Sequence, residues 1–160
     1  MKEKIAIVPG SFDPITNGHL EIIKKAAALY DKVYVAVMIN DKKQYMFSLK
    51  DREEIAVSAL KNIDGVEVIS SSGWLWQLAK ELNACAIVKG YRNEADLAYE
   101  KEMAVFNEAH CPEAKTVLIK SEREFDSISS TIVRERILMG EDLEGYLPDS
   151  AIEKIKEITP

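Results

Sequence analysis

Residues 5–20 read IAIVPGSFDPITNGHL and are the most informative part of the chain. It begins with the apolar run Ile5–Val8, continues through a segment rich in Gly, Pro and Asn, and passes into a helical pattern at Leu20. A strand that ends in such a turn and leads into a helix with His19 in its first turn brings backbone N–H groups and an imidazole to one point. The stretch therefore predicts a phosphate site at the carboxyl end of the first strand.

Two common phosphate-loop motifs are missing from this stretch. No GxGxxG pattern follows the first strand and no Gly-Lys-Ser/Thr closes the turn, so neither a dinucleotide-binding domain nor a P-loop NTPase is indicated. In Thr16-Asn17-Gly18-His19 the glycine would let a phosphate approach the backbone, and the histidine would present its imidazole. The alternative is that Gly18 only permits the turn and that His19 packs against it.

Apolar runs alternate with helical patterns along the rest of the chain, which is typical of stacked βαβ units. The runs are short and mostly rich in Val and Ile, as in strands that are buried on both faces of a sheet. We expect one α/β domain over residues 1–160, with a Rossmann-like doubly wound sheet of five parallel strands and helices on both faces. The predicted strands are Lys4–Val8, Val33–Met38, Val66–Ser70, Cys85–Val88 and Thr116–Ile119, and the predicted helices are Gly18–Tyr30, Leu49–Leu60, Trp74–Leu82, Glu94–His110, Ser130–Met139 and Asp149–Ile158.

The composition limits the possible partners. The chain has 21 Lys and Arg against 27 Asp and Glu, a net charge of −6, so no global positive field would hold nucleic acid or an anionic membrane, and we expect neither partner. It shows no cationic leader with a cleavage site and no apolar stretch near the roughly 20 residues of a membrane span, so we expect a cytoplasmic protein. Cys85 and Cys111 are too far apart for a CxxC pair, and we expect two reduced thiols that fill apolar space.

Further polar segments follow the predicted strands, and ligands of open parallel sheets bind at the carboxyl ends of strands. Lys89-Gly90-Tyr91-Arg92 could grip a phosphate from two sides, or form a solvated basic turn. Residues 127–131, Ser-Ile-Ser-Ser-Thr, could bind the outer phosphates of a nucleotide together with Arg134, or only cap the next helix. The loop Ile39–Phe47 is another candidate, because loops of that length in compact domains are often functional.

In this order, the motifs resemble those of the bacterial phosphopantetheine adenylyltransferases, enzymes of the nucleotidyltransferase group that is marked by a T/H-x-G-H signature. The resemblance covers nearly the whole chain as a single nucleotidyltransferase domain, residues 1–160. It rests on Pro9–His19, Lys43, Met46-Phe47, Lys89–Arg92, Tyr99-Glu100, Ile128–Thr131 and Leu147-Pro148. The signature alone would mark only the superfamily, whereas the full set in register is specific to this member.

The resemblance implies transfer of the adenylyl group of ATP to 4′-phosphopantetheine, giving dephospho-coenzyme A and pyrophosphate, with Mg²⁺ as cofactor. It also implies a homohexamer and inhibition by coenzyme A. Such a reaction needs no strong base, because the attacking phosphate is already anionic, and catalysis rests on positioning and charge neutralisation. Two alternatives stay open: a sister enzyme with another phosphate acceptor, such as nicotinamide mononucleotide adenylyltransferase or a cytidylyltransferase, and a non-catalytic nucleotide-sensing module.

The resemblance also implies roles for individual residues. His19, Lys43 and Arg92 would be catalytic, with His19 at the α-phosphate and Lys43 at the acceptor phosphate. The residues around the acceptor would be Ser11, Lys43, Leu75 and Lys89, and those around ATP would be Ser11, Phe12, His19, Gly90, Tyr91, Arg92, Glu100, Phe125, Asp126, Ser127, Ile128, Ser129, Ser130 and Thr131. No metal ligand is implied.

Three positions depart from the family pattern. Ser11 stands where the family often has Thr, which keeps the hydroxyl, and Tyr91 replaces a common Leu. Lys89 stands where the family commonly has Arg, so the positive charge is kept but the bidentate fork is lost. This change puts the binding of the acceptor phosphate in question more than the class of reaction.

Overall fold

The computed structural model describes residues 2–159, so Met1 and Pro160 of the expected domain 1–160 lie outside the described residues. The strands are β1 Ile5–Gly10, β2 Lys32–Met38, β3 Val66–Ser71, β4 Ala86–Tyr91 and β5 Lys115–Lys120. They form one parallel sheet in the order β3-β2-β1-β4-β5, which confirms the predicted fold. The helices are α1 Asn17–Leu29, α2 Leu49–Leu60, α3 Leu75–Glu81, α4 Glu94–His110, α5 Ser130–Leu138 and α6 Asp149–Ile158, with a 3₁₀ turn at Arg123–Phe125.

The helices cover both faces of the sheet because strand side chains alternate between the two faces. Ala6 and Val8 of β1 pack into a core that includes residues of α1, α2, α5 and α6. Ile7, between them, points to a second core with residues of α3 and of the segments that flank α3 and α4. Each buried strand is therefore apolar on both sides, as its unbroken Val and Ile run predicts. None of the helices within residues 2–159 is long and apolar enough to cross a bilayer.

The strand order reverses at β1, and the pairing there is short. β1 pairs with β2 from Ile5 to Gly10, but with β4 only at Ala6↔Ala86 and Ile7↔Ile87. Beyond this point the carboxyl ends of β1 and β4 separate. Crevices of this kind are where open α/β sheets bind ligands.

β4 is longer than the sequence predicts. Lys89, Gly90 and Tyr91 belong to the strand, where they pair with β5, so the prediction of a turn at Lys89-Gly90-Tyr91-Arg92 is wrong for its first three residues. A Cβ on Gly90 would lie 2.8 Å from Ile22 Cγ1, so the glycine permits α1 to pack closely on this strand. Local propensity disfavours glycine in a strand, and the packing of α1 gives a physical reason for it here.

The two cysteines differ. Cys111 is buried in the second core, as expected, but Cys85 is exposed and does not fill apolar space. Cys85 lies directly before β4, and its backbone bonds to Ile5 and Lys115. Cys85 therefore belongs to the apolar run that leads into β4 because its backbone pairs with neighbouring segments, while its side chain is not buried.

Gly90→Ala is expected to destabilise the protein by about 1–3 kcal/mol, because the added methyl group overlaps Ile22. Urea unfolding measures the change. Gly73→Ala is the control, because a Cβ there meets only Gln77 Oε1, at 3.6 Å. In an Ile22→Ala background Gly90→Ala should lower the free energy of unfolding by less. An unchanged loss of unfolding free energy would contradict the packing explanation.

Candidate active site

A cavity of about 420 Å³ opens where β1 and β4 separate. Its walls come from the carboxyl ends of both strands, the first turns of α1, the start of α4 and the segment before α5. The lining residues that the sequence analysis assigns to the ATP or acceptor site are Phe12, His19, Lys89, Gly90, Tyr91, Arg92, Glu100, Phe125, Ile128, Ser129 and Ser130. Three distant parts of the chain thus meet in one cavity.

His19 has a defined tautomer. The backbone N–H of Thr16 donates to His19 Nδ1 at 2.9 Å, so Nδ1 is an acceptor and the ring proton of the neutral imidazole is on Nε2. Desolvation, followed by the charges of Lys89 and Arg92, lowers the pKa of His19 to about 4. At neutral pH His19 is therefore an uncharged N–H donor on the wall of the cavity. The ring of His19 also packs edge-on against the ring of Phe12. His19 therefore packs against the turn and lines the cavity at the same time.

Phe12 makes the turn after β1 tight. Its φ is +47°, in the left-handed region that a bulky residue rarely adopts. The ring is buried below Gly10, where a Cβ would lie 3.1 Å from two ring carbons. Burial of the ring opposes the backbone strain, which is of order 1–3 kcal/mol.

Two cations of the cavity, one in β4 and one directly after it, form ion pairs with carboxylates of α4. Lys89 Nζ lies 3.3 Å from Glu100 Oε2, and Arg92 Nε lies 3.4 Å from Asp96 Oδ2. All four residues line the cavity. Lys89 is half-buried and bound to a buried carboxylate, so it is not part of a solvated basic turn.

The hydroxyls at the start of α5 are already engaged within the protein. Ser129 Oγ accepts from the Ile132 N–H at 3.2 Å, which is the helix-capping alternative, and its own proton stays free to donate. Ser130 Oγ donates to the carbonyl of Pro14 at 2.8 Å and ties α5 to the turn after β1. The neighbouring Asp126, Ser127 and Thr131 are not among the residues that line the cavity.

Ser11 and Lys43 lie beside the cavity. Lys43 Nζ donates to Ser11 Oγ at 3.3 Å, so the structure brings together two residues that the sequence analysis assigns to the acceptor. The end of the Lys43 loop is anchored by the buried Asp13 carboxylate, which accepts the N–H groups of Met46 and Phe47 at 2.9 and 3.0 Å. This anchor is a residue that sequence reasoning missed.

Leu75 is not brought to the cavity. It is the first residue of α3 and packs against the second core. A second cavity of about 350 Å³ lies nearby at the carboxyl end of β3, with Ser70, Ser71, Ser72 and Gln77 in its lining. Leu75 does not line this second cavity either.

Sequence reasoning missed Tyr99 and Asp96 as lining residues. The i,i+4 spacing of Arg92 and Asp96 could have indicated their pairing. Tyr99 is 60% exposed and belongs to the Tyr99-Glu100 pair of the family pattern, but no spacing rule predicts that it lines the cavity. Within residues 2–159, no three or more His, Cys, Asp or Glu residues are grouped so that they could hold a metal ion.

The comparisons with known proteins agree on one family. Residues 7–136 match the Cytidylyltransferase-like family model. A phosphopantetheine adenylyltransferase of Lactobacillus acidophilus is 43% identical over 154 residues, which are 96% of this chain and 96% of that protein. Proteins of the same name from Streptococcus pneumoniae and Clostridium tetani are each 40% identical and cover 98% and 94% of this chain, respectively.

The chain belongs to the phosphopantetheine adenylyltransferase family. This confirms the resemblance that the sequence motifs indicate and makes the protein a nucleotidyltransferase. The family-model match spans β1 to α5 and therefore every element that lines the larger cavity. In this phosphopantetheine adenylyltransferase family member, the cavity is the candidate active site.

The lowered pKa of His19 predicts a pH effect on stability. The unfolded chain takes up a proton at His19 below about pH 6.5 and the folded protein only below about pH 4, so stability falls as the pH is lowered through this window. His19→Gln can still accept the Thr16 N–H but does not titrate. Between pH 7 and 5 the wild type is expected to lose about 1–2 kcal/mol more than this variant.

Urea unfolding at both pH values measures that difference. His110→Gln is the matched control, because His110 is the other histidine and is exposed at the end of α4. Parallel pH profiles for the wild type and His19→Gln would contradict the assignment of a neutral, desolvated His19.

Proposed function

We propose that the protein transfers the adenylyl group of MgATP to 4′-phosphopantetheine and releases dephospho-coenzyme A and pyrophosphate. The observation that carries the proposal is the cavity at the switch point, which a neutral His19 lines together with Lys89 and Arg92 in a member of this family. Relatives at 40–43% identity along nearly their whole length are named for this activity.

The bonds exchanged define what the residues must do. A phosphate oxygen of the acceptor forms a bond to the α-phosphorus of ATP, the bond from that phosphorus to the bridging oxygen of the β-phosphate breaks, and pyrophosphate leaves with the electron pair. The nucleophile is already an anion, so no general base is required. Rate enhancement then comes from holding two anions in line and from stabilising the charge at the α-phosphate.

His19 and the cations of the cavity suit that task. The Nε2–H of His19 can donate to a non-bridging oxygen of the α-phosphate, and its Nδ1 is held by Thr16 so that the ring keeps this orientation. Lys89 of β4 and Arg92, directly after it, add positive charge to the same cavity. The ion pairs with Asp96 and Glu100 hold both cations in place before a substrate binds.

We expect Mg²⁺ to enter the cavity together with the nucleotide. Glu100 and Asp96 are each paired with a cation, and the part of the chain that the structure describes has no cluster of three metal-ligating side chains. Mg²⁺ commonly keeps several waters and binds substrate phosphates with few protein ligands. We therefore treat Mg²⁺ as part of the ATP substrate, which supplies charge neutralisation at its phosphates.

The acceptor would bind from the side of Lys43. Lys43 and Ser11 offer a cation and a hydroxyl next to the end of β1. The second cavity, at the end of β3, has serine hydroxyls and Gln77 that could bond the amide groups of a pantetheine arm. Leu75 starts the helix that forms one wall of this cavity, which is compatible with a role near that arm.

The family membership supports three further proposals: a homohexamer, inhibition by coenzyme A and a cytoplasmic location. Trp74, Val105 and Phe106 of the α3–α4 surface are 61%, 70% and 37% exposed, and such an apolar patch favours burial in a subunit contact. Sedimentation analysis tests the assembly, and inhibition kinetics test the effect of coenzyme A.

The central test is pyrophosphate release from MgATP and 4′-phosphopantetheine. The wild type is expected to turn over, and His19→Ala is expected to lower kcat by about 10²-fold or more, because one donor to the transition state is lost. No release above the His19→Ala control would overturn the proposal. Turnover only with CTP, or only with nicotinamide mononucleotide, would favour a sister enzyme, and ATP binding without any turnover would favour a sensing module.

Lys43→Ala is expected to raise the KM for 4′-phosphopantetheine by roughly tenfold while it changes the KM for ATP little, because one charge-assisted contact to the acceptor phosphate is lost. Lys42→Ala is the matched control, since Lys42 is an exposed neighbour in the same loop. Initial rates at varied acceptor and varied ATP separate the two KM values. Equal effects of the two alanine variants would contradict a specific role for Lys43.

A further inference from the structure

Arg52 is a buried cation that forms no ion pair with the carboxylates of residues 2–159. It lies in the first turns of α2 and is only 2% exposed. Its Nη1 donates to the carbonyls of Ser11 at 2.9 Å and Met38 at 3.2 Å, and the ring of Tyr45 covers the guanidinium at 3.8 Å. Among residues 2–159 no carboxylate oxygen lies within 4.0 Å of its nitrogens, and its Nε has no hydrogen-bond partner.

Such a charge is expensive for the fold. Removing an ion from water costs several kcal/mol unless an opposite charge and hydrogen bonds compensate. The two carbonyls and the aromatic face offset only part of the cost, whereas a methionine of similar length would fill the same space without it. Stability alone therefore does not account for an arginine at this position.

The position of Arg52 indicates what the charge serves. Ser11 follows the end of β1 and Met38 ends β2, so the guanidinium joins two neighbouring strands at the carboxyl edge of the sheet. The hydroxyl oxygen of the same Ser11 accepts a hydrogen bond from Lys43 Nζ. Arg52 thus binds the backbone of the residue whose side chain contacts Lys43.

Arg52 is also linked to the loop that carries Lys43. Tyr45, which stacks on the guanidinium, accepts the N–H of Asn40 through its hydroxyl at 3.0 Å. The carbonyl of Asn40 accepts the N–H of Lys43, also at 3.0 Å. A continuous path of contacts therefore runs from Arg52 through Tyr45 and Asn40 to the backbone of Lys43.

We propose that Arg52 is a positioning residue for the phosphate of the acceptor, which holds Ser11 and the Lys43 loop in place and leaves its own charge for that phosphate to balance. A positive charge that no carboxylate neutralises, in a region shielded from water, attracts an anion more strongly than an exposed lysine does. Arg52 itself stays buried and acts through Ser11 and Lys43. This inference rests on the proposed function, since it assumes a phosphorylated acceptor.

The test compares Arg52→Met with Arg52→Lys in steady-state kinetics with both substrates varied. Arg52→Met is expected to raise the KM for 4′-phosphopantetheine roughly tenfold or more and to leave the KM for ATP within about twofold. Arg52→Lys keeps the charge and is expected to recover most of the acceptor affinity, although it lacks the planar guanidinium. Thermal unfolding of each variant establishes that the protein is folded.

A loop variant keeps the test decisive if Arg52→Met does not fold. Tyr45→Ala removes the aromatic cover of the guanidinium and breaks the path to Asn40, and it should raise the KM for the acceptor at least threefold. Gln44→Ala, at the exposed neighbouring position, is its control and should leave that KM unchanged.

Two results separate this inference from the proposed function. If the wild type releases no pyrophosphate, the proposed function fails and this inference fails with it. If the wild type is active but the Arg52 and Tyr45 variants keep a normal acceptor KM, or change both KM values in parallel, the positioning role of Arg52 is overturned and the proposed function stands.

Discussion

The early end of pairing between β1 and β4 is the constraint on which the rest of the site depends. The two strands bond at Ala6↔Ala86 and Ile7↔Ile87 and then separate, whereas β1 stays paired with β2 through Gly10. The separation opens the cavity between the two strand ends. α1 packs closely against β4 at Gly90, where a Cβ would overlap Ile22. This packing brings the first turn of α1, with His19, to the same cavity as Lys89 and Arg92.

The turn after β1 joins the two halves of the site. Arg134 of α5 donates to the carbonyl of Asp13, and Ser130 of the same helix donates to that of Pro14, so α5 is tied to the turn. The carboxylate of Asp13 holds the end of the Lys43 loop, and Arg52 holds Ser11, so the Lys43 loop and α2 are tied to the same turn. Few residues of the turn face solvent, and the backbone strain at Phe12 persists because so many groups hold it.

The charge distribution explains how an acidic protein can bind two polyanions. The chain carries a net charge of −6, yet Lys89, Arg92, Lys43 and Arg52 collect at one edge of the sheet. Carboxylates of α4 hold the first two in place, while the partners of Arg52 among residues 2–159 are carbonyls and an aromatic ring. Positive charge is therefore local and oriented, which suits small anionic ligands.

Local patterns in the sequence predict the element types, the parallel sheet and the family. Helical periodicity is a local property, so the predicted helix bounds agree with the structure to within one residue. The motif around His19 is likewise contiguous, which is why its place at the head of α1 was predictable. Which side chains meet depends on tertiary packing: β4 extends through Tyr91 because β5 pairs with it, Leu75 packs into a core, and Asp13 and Arg52 become anchors. These contacts join residues far apart in the chain, and their free energy depends on packing and burial that no local pattern records.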